Sequence, residues 1–449
     1  AIKNRKKNNP NANDAYQFDS YSKFVAEIDP EVLNKVPVDT KDTTLLKLKN
    51  TIQHSHLLMI ESNTTKSFIP PYREKEVVNS YKVSGFSSPT FATFAQEMQS
   101  FSFYETQVEI SGVSYINPLA FGGTRRYLFI LEDTTYINQD TVFHISFRPR
   151  KGKSFDGMKG TLFINTNGYA LEKVIAEPQE EEEAFSIKIV QEYEFEQGKK
   201  WFPKKLTSEL KFNNAINRVA DSIPLKIRAV AHTYIRDVNF SPSDLKKSQF
   251  DNTTVTVEEN ANVVEEAKWE EVREYELTEQ EKNTYSFVDS LSDANGLKRY
   301  EYIFDVLSTG KIPLKYVNAP FNRLYRFNGY EGSRLGLGLE TSSRVSKHFL
   351  IGGCFAYGTW DKDWKWGGNA EVVISKRKDL RLLIDYSDDV LERGGKHYMK
   401  DQFPWFSSNY VSSLFLKKMD RERKAQVGLT MRPLANLQVQ GFSNYRQLD

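Results

Sequence analysis

Arg334-Leu335-Gly336-Leu337-Gly338-Leu339-Glu340 puts three leucines on one face of an extended strand and arginine, glycine and glutamate on the other, because successive strand side chains point to opposite faces. The same separation recurs to the end of the chain. Phe349, Ile351, Gly353, Phe355 and Tyr357 oppose His348, Leu350, Gly352, Cys354, Ala356 and Gly358. Trp366, Ala370, Val372 and Ile374 oppose Lys365, Asn369, Glu371 and Ser375. Leu380, Leu382, Ile384 and Tyr386 oppose Arg381, Asp385 and Ser387, and Ala425, Val427, Leu429 and Met431 oppose Gln426, Gly428, Thr430 and Arg432. The runs are about 9–12 residues long, which suits a tilted bilayer crossing better than the roughly 5–6 of a soluble sheet. Tyr357, Trp360, Trp364, Trp366, Tyr386, Trp405 and Phe406 gather at their ends, where an amphipathic ring sits at headgroup level. The charges on the second face would be costly in a dry core and ordinary in a wet lumen. This pattern predicts the first strands of an antiparallel outer-membrane-type β-barrel over 321–449. A soluble sandwich, which also alternates, is the competing reading.

The composition is compatible with that reading. The chain has 449 residues, Lys+Arg 61 against Asp+Glu 59, and one cysteine, Cys354. Near-balanced charge, with basic runs no longer than Lys3–Lys7, removes the case for nucleic acid. A single cysteine excludes an internal disulfide framework and a cysteine-rich zinc module. No run approaches the roughly 18–20 apolar residues of a membrane helix, and a hydrophilic average leaves a barrel open because its strands alternate. Ala1 opens without Met or a signal segment, residues 1–15 read as a linker remnant, and Asn436–Arg446 is strand-like up to the end, so both ends read as cuts.

Residues 16–239 form a succession of strand-like runs: Arg125–Glu132, Thr141–Arg148, Thr161–Asn165, Tyr169–Ala176, Phe185–Glu196, Lys200–Phe212 and Ile216–Arg236. Asn167-Gly168 marks a tight hairpin. Leu45–Gln53 and Phe91–Met98 have the composition of helices lying on such a sheet, so an α+β half-barrel with one face covered is expected. Residues 240–320 read as an acidic, helical connector. Thr278-x-x-Glu281 is a capping box, followed at helical spacing by Tyr285, Val288 and Leu291. A second helix fits Leu297–Leu307, ended by Gly310 and Pro313. Glu180–Glu183 and the Glu-rich Glu258–Glu281 read as a turn and a solvated linker.

Chemical motifs are sparse. His54-x-His56 with Glu61 could hold a metal, but a sheet-surface pair is the simpler account. Asp361-x-Asp363 and Asp388-Asp389 could ligate Ca²⁺ and read more simply as solvated strand-end acids. Cys354 has no histidine to activate it. No nucleophile, base and orienter assemble, and Gly122-Gly123-Thr124 lacks the lysine and spacing of a phosphate loop. No catalytic, cofactor or metal residue is assigned.

Phe327-Asn328-Gly329-Tyr330-Glu331-Gly332-Ser333-Arg334-Leu335-Gly336-Leu337-Gly338 and Tyr357-Gly358-Thr359-Trp360-Asp361-Lys362-Asp363-Trp364-Lys365 resemble the barrel start of a Bacteroidota envelope family of undefined function. That family is known by its carboxypeptidase-regulatory-like N-terminal domain, which is missing from this chain. Ala1–Pro10 followed by Tyr21-Ser22-Lys23-Phe24, Tyr115–Leu119, and Phe155-x-Gly157-x-x-Gly160 continuing to Asn165 are similar to the same family. The resemblance implies an outer-membrane protein whose middle region is similar to the lipoprotein-carrier (LolA-like) half-barrel. Its expected partners are outer-membrane lipids and acyl chains or lipoproteins, and its expected role is non-enzymatic, in envelope biogenesis or transport of lipids or proteins. A structural or adhesive surface protein and a soluble β-rich binding protein or enzyme are the alternatives.

The barrel-start residues singled out are Asn328, Glu331, Gly332, Arg334, Gly336, Gly338, Tyr357, Gly358, Asp361 and Lys362. The glycines are expected to allow close strand approach, and Glu331 with Arg334 to form an ion pair or stand as ordinary strand-end charges. One feature conflicts. Counted from a periplasmic start at Gly332, Asp388–Ser407 falls on the periplasmic side yet is longer than Ser375–Asp379 on the outside, the reverse of the usual rule. A hidden strand near Lys396–Lys400, or a strand count wrong by one, would restore it.

Overall fold

In the computed structural model the chain forms two units, residues 1–247 with 254–298, and residues 248–253 with 299–449. The structure describes residues 1–12, 14–29, 53–71, 73–84, 92, 98–110, 113–137, 139–152, 155–180, 185–212, 218–219, 223–224, 226–243, 245, 249–250, 255–258, 260–263, 265–286, 306, 310–320, 323–342, 344–346, 348–375, 380–392, 419–434 and 437–448. The expected helices at Leu45–Gln53, Phe91–Met98 and Leu297–Leu307 lie outside these residues, but for Gln53, Ala92, Met98 and Val306. So do Val288, Leu291, Lys396–Lys400, Trp405 and Phe406.

The first unit holds β1 (Tyr16–Ile28), β2 (Leu58–Ile69), β3 (Arg73–Val83), β4 (Gln107–Ile110), β5 (Val113–Ile116), β6 (Tyr127–Ile137), β7 (Asp140–Pro149), β8 (Met158–Asn165) and β9 (Ala170–Pro178). It continues with β10 (Phe185–Glu196), β11 (Lys200–Phe212), the short pair β12 (Arg218–Val219) and β13 (Ile223–Pro224), β14 (Ile227–Asn239) and β15 (Val255–Val257). Eleven strands make one sheet in the order β15-β3-β2-β1-β14-β11-β10-β9-β8-β7-β6. Every pairing in it is antiparallel but that of β15 with β3. The mainly β, antiparallel reading therefore holds. β8 turns into β9 through Asn167-Gly168, with Gly168 at φ +70°, as the dipeptide predicts.

Two of the expected strands are cut differently. Arg125 and Arg126 belong to a helical turn, Gly123–Arg126, before β6. The run Ile216–Arg236 is interrupted by the β12–β13 pair, so that β14 starts only at Ile227.

Alternation along β1 sends Tyr16, Phe18 and Phe24 into the core with Phe68, Phe202, Ile60 and Val78. Residues 103–119 cover the sheet at β7–β11, where Phe103, Tyr104, Val108, Ile110 and Leu119 pack on Phe147, Leu162, Val174 and Ile189. Each such side chain removed from water contributes about 1.5–3 kcal/mol before entropy is counted.

The acidic stretch read as a solvated linker keeps its described glutamates exposed but for Glu281, yet it is packed on the first unit through its apolar residues. Trp269, in the helix Glu266–Val272, and Tyr285 are buried, and Leu277 and Tyr285 pack on Met59 of β2. The capping box forms: Thr278 N–H donates to Glu281 Oε2 at 2.9 Å and Glu281 N–H to Thr278 Oγ1 at 3.2 Å. What holds the segment is Glu61, fully buried on β2. It accepts from Tyr21 Oη at 2.6 Å, Tyr285 Oη at 2.7 Å, and Arg273 Nε and Nη2 at 2.8 and 2.9 Å. Lys23 adds an ion pair to Glu281 at 2.6 Å. Burial, then the Glu61 carboxylate, raises both phenols above their ordinary range. Burial works to lower the Arg273 guanidinium, but its bonds to Glu61 and Glu266 outweigh that and hold it raised. What the sequence hides is the anchor of this segment, because Glu61 lies 212 positions from Arg273 and 224 from Tyr285.

The second unit holds β16 (Lys311–Pro313), β17 (Val317–Pro320), β18 (Tyr325–Asn328), β19 (Gly332–Thr341), β20 (Phe349–Gly358), β21 (Trp364–Ser375), β22 (Leu380–Glu392), β23 (Met419–Leu434) and β24 (Leu437–Leu448). They form one antiparallel sheet in the order β16-β17-β19-β20-β21-β22-β23-β24, with β18 also paired to β19. Among the described residues β16 and β24 are not paired, so the sheet is open. β17 and β18 lie along the same edge of β19, at its end and start respectively. They take the place of one interrupted strand before Gly332, a strand absent from the count made in sequence. β22 also extends to Glu392, so Asp388 and Asp389 are strand residues rather than part of a turn.

Candidate functional site

The first candidate surface is the apolar face of the second unit. Leu335, Leu337, Phe355, Trp364, Trp366, Ile384, Val427 and Leu429 are all exposed on it. The pairing groups these residues into rows across the strands. One row runs Leu335, Tyr357, Trp364; the next Leu337, Phe355, Trp366, Asp388, Arg423; the next Leu339, Gly353, Gly368, Tyr386, Ala425, Tyr445. On β20 and β21 the apolar belt reaches the first row. On β22 and β23 it stops two rows short, at Tyr386 and Ala425, because Asp388 and Arg423 take the second row as an ion pair at 3.5 Å. At the other end the belt closes at Leu339 on β19, Phe349 on β20, Ile374 on β21 and Met431 on β23, slanting the same way.

A displacement of four residues, ~14 Å, across the three strand spacings from β20 to β23, also ~14 Å, sets the belt at roughly 45° to the strands. Membrane barrels tilt their strands by about 35–45°. On β21 the belt from Trp364 to Ile374 is ~34 Å along the strand, hence roughly 24 Å across the belt, close to the ≈ 25 Å apolar band of such barrels. Rings border it: Tyr357 packs on Trp364 at 5.2 Å and Trp366 on Tyr386 at 4.9 Å.

The barrel-start residues assemble on the opposite, polar face. Asn328 Oδ1 accepts from the Tyr330 and Glu331 amides at 3.0 and 2.7 Å, and its Nδ2 donates to Glu331 Oε2 at 2.6 Å. Gly332 follows at φ +69° with the Trp360 ring where a Cβ would stand, a position that only glycine fills without strain. Arg334 bonds Asp389 Oδ2 at 2.9 Å and lies 3.5 Å from Glu331 Oε1. Lys365, almost fully buried, bridges Glu331 at 3.2 Å and Asp361. Glu331 thus meets both the Arg334 guanidinium, as expected from the sequence, and the Lys365 ammonium group, which it shares with Asp361. Asp361 also packs on Gly358.

Gly336 and Gly338 lie further along β19, beneath Arg323, whose Cβ would be 2.5 Å from a Cβ at position 338. Arg323 reaches on to Asn369 Oδ1 at 3.1 Å. Two chosen residues stand apart: Tyr357 is on the apolar face, and Lys362 is exposed in the turn at φ +55°. Lys365, Asp389 and Arg323 were missed as members. The one sequence signal for them was the run of glycines opposite the leucines, which marks a face that something else must fill.

The covered face of the first unit is partly filled and partly open. Residues 99–120 are locked onto it by Phe103 N–H donating to Gln191 Oε1 at 2.9 Å, Gln191 Nε2 donating to Ser100 O at 2.8 Å, and Tyr104 Oη accepting from Leu171 N–H at 2.6 Å. Beside them a cavity of ≈ 510 Å³ is walled by Phe129, Ile145, Leu162, Ile164 and Leu119, with Ile2 and Tyr169 at its rim. That is within the roughly 300–1,000 Å³ of small-molecule sites. A smaller pocket of ≈ 110 Å³ lies among Phe18, Phe101, Leu206 and Ile235, with the hydroxyls of Ser20, Thr64 and Thr233.

Elsewhere, His56 Nδ1 lies 3.4 Å from Glu27, while Glu61 is taken by Arg273 and the two tyrosines. Cys354 is a half-buried free thiol on the polar face. Among the described residues no three His, Cys, Asp or Glu side chains are placed to share a metal ion. Among them, too, no helix is long and apolar enough to cross a membrane, which says nothing of strands.

Residues 1–223 match a family of unknown function, DUF5686. No curated protein sequence matches the chain. Among solved structures, the chain is similar to a domain from Vibrio parahaemolyticus described as an outer membrane lipoprotein-sorting protein, at 9% identity and TM-score 0.27, over 55% of this chain and 93% of that one. A DUF1329 family protein from Desulfovibrio piger is 11% identical at TM-score 0.24, over 52% and 89%. Acinetobacter baumannii OccAB4 is 7% identical at TM-score 0.13, over 98% and 100%. At these scores the likeness carries no argument about ligand or location.

Proposed function

We propose that the chain is an outer-membrane β-barrel protein with a periplasmic, lipoprotein-carrier-like first unit, acting without catalysis in envelope biogenesis by holding acyl chains. The observation that carries this is the exposed belt on the second unit, bordered by rings and then by charge. An apolar face of that extent has no place in water, and a bilayer is the solvent that matches its slant and width. The ≈ 510 Å³ cavity of the first unit supports the cargo half of the proposal, because its lining is mainly aliphatic and aromatic, with Lys3 and Asn4 as the polar exceptions, and suits a chain with a polar end.

Two measurements test the halves separately. The full-length protein is expected in the carbonate-insoluble envelope fraction, with heat-modifiable mobility; recovery in the soluble fraction ends the barrel reading and restores a soluble β-rich binding protein or enzyme. Native mass spectrometry of the detergent-purified chain is expected to show a bound acyl species that Leu162→Trp expels. A bare mass spectrum would favour the second reading, a structural or adhesive surface protein. That reading draws on residues 99–120, which already fill much of the covered face.

A further inference from the structure

Phe121 of the first unit is 93% exposed, more than any other large apolar side chain described. It sits in the turn 120–123, just before the helical turn Gly123–Arg126. Gly123 N–H donates to Ala120 O at 2.9 Å, Arg126 Nη1 to Phe121 O at 2.9 Å and Arg150 Nε to Thr124 O at 3.2 Å. The backbone of the turn is thus tied down between two guanidinium groups while its ring is left in water. Ile2 comes within 3.8 Å of where a Cβ of Gly123 would stand, which sets the first residues of the chain against the same turn. Asn4 and Asn8 donate to Gly168 O at 2.8 and 3.1 Å, so this segment reaches from Phe121 toward Tyr169, a second exposed ring. Lys3, Lys6 and Lys7 are exposed along it.

The charge around Phe121 is unbalanced. Elsewhere on the first unit Lys23, Lys82, Lys173, Arg228 and Arg273 each have a carboxylate within 3 Å. Lys3, Lys6, Lys7, Arg125, Arg126 and Arg150 have no ion pair among the described residues, and Glu105, the acid beside the segment, is taken by Asn9 and Asn11. We propose that this surface docks the first unit onto an anionic lipid bilayer, with Phe121 entering the headgroup layer and the cations lying over lipid phosphates. Each lysine or arginine held near such a surface favours binding about fivefold, and an apolar ring adds to it by leaving water at the headgroup boundary. A protein partner would need a packed patch with a dry centre, whereas a lone ring standing out among flexible lysines suits a fluid surface that closes around it. Docking here rests on the cargo reading only for its purpose. Lys3 and Asn4 line the ≈ 510 Å³ cavity as well, so a bilayer held at this surface adjoins the cavity and receives or gives up an acyl chain without exposing it to water.

The test uses the full chain with its second unit held in phosphatidylcholine nanodiscs, or in buffer alone should the chain prove soluble, floated with vesicles of phosphatidylglycerol or of phosphatidylcholine. Flotation is expected with the first lipid and not with the second, and is expected to weaken as salt is raised. Replacing Lys3, Lys6 and Lys7 together by Gln should lower the apparent affinity about a hundredfold, and Phe121→Ser about tenfold. Should the triple variant fail to fold, Arg125→Gln is expected to cost about fivefold. A polarity-sensitive dye on Thr124→Cys, in a Cys354→Ser background, should shift to the blue with phosphatidylglycerol vesicles alone. Equal flotation with both lipids, flotation with neither, or an affinity unmoved by the lysine and arginine variants overturns the docking. A dye that stays in water overturns it too, and leaves the cations to an acidic protein. An acyl species in the mass spectrum of a chain that does not float keeps the cargo reading and removes the docking, while flotation of a chain with a bare mass spectrum does the reverse.

Discussion

The two units use one device, a strand that alternates apolar and polar side chains, and put the apolar half in opposite surroundings. On β1, Tyr16, Phe18 and Phe24 are at most 4% exposed, whereas on β21 Trp364, Trp366 and Ile374 are 53–57% exposed. The polar halves are exchanged as well. Glu61 of the first unit is buried because a packed segment from the same chain brings it an arginine and a phenol, beside the Tyr21 phenol of β1. Lys365 and Glu331 of the second are buried on the face turned away from the belt. Alternation therefore says that a sheet has two unlike faces, and the medium on each side decides which face is hidden.

That contrast can be broken at its strongest points. Glu61→Ala leaves Arg273, Tyr21 and Tyr285 buried without their acceptor, and should destabilise the first unit by about 3–5 kcal/mol. Urea unfolding of the detergent-solubilised chain measures this, and a shift below ~1 kcal/mol would mean that the segment 266–286 is held by packing alone. Val427→Arg, in the middle of the belt, should cost about 2–4 kcal/mol of folding into lipid vesicles. Gln426→Arg, one residue away on the other face, should cost far less, and equal losses would erase the distinction between the faces.

The remaining tests sharpen the comparison rather than threaten it. Gly338→Leu collides with Arg323 and should lose about 1–3 kcal/mol, against little for Gly441→Leu, where a Cβ meets nothing within 4 Å. Thr278→Ala removes half of the capping box and should lower the first unit's stability by about 1 kcal/mol, read from its thermal midpoint. The smallest effect at neutral pH is that of His232, whose folded-state pKa is lowered to about 4 by burial and then by Lys205, Lys23 and Arg228. Its depressed value means that the unfolded chain takes up the proton first. Stability should be unchanged above about pH 6.5 and fall as pH drops from there toward 4. His232→Gln should flatten that limb in a series of melting curves.

How much was legible follows from the range of each interaction. The faces placed in sequence on β19–β23 hold in the structure except at the bulge of β21, where Ser375 pairs with Leu380 and so joins the apolar side, because alternation needs only the neighbour two positions away. The capping box of Thr278 and Glu281 and the hairpin at Asn167-Gly168 are equally local. The acidic segment was misread because its partner Glu61 is 212 positions from Arg273. The edge formed by β17 and β18 was missed because two four-residue strands carry too little alternation to register. In the site, Asn328, Glu331, Gly332 and Arg334 were visible as a motif, and Lys365 closes the second quoted run without having been chosen, but the Asp389 that completes it comes from a strand beyond both.

The sequence by itself determined that the C-terminal strands have one mainly apolar and one polar face, that the first unit is an antiparallel meander, and that no long apolar helix is encoded. Only the tertiary structure decided the slant of the belt, the place of β17 and β18 along one edge of β19, and the pairing of Glu61 and Lys365 with their partners. The division is physical. Which face a side chain takes is set by the backbone's two-residue period, whereas what that side chain meets depends on strand order and register, which are fixed by the packing of the sheet as a whole.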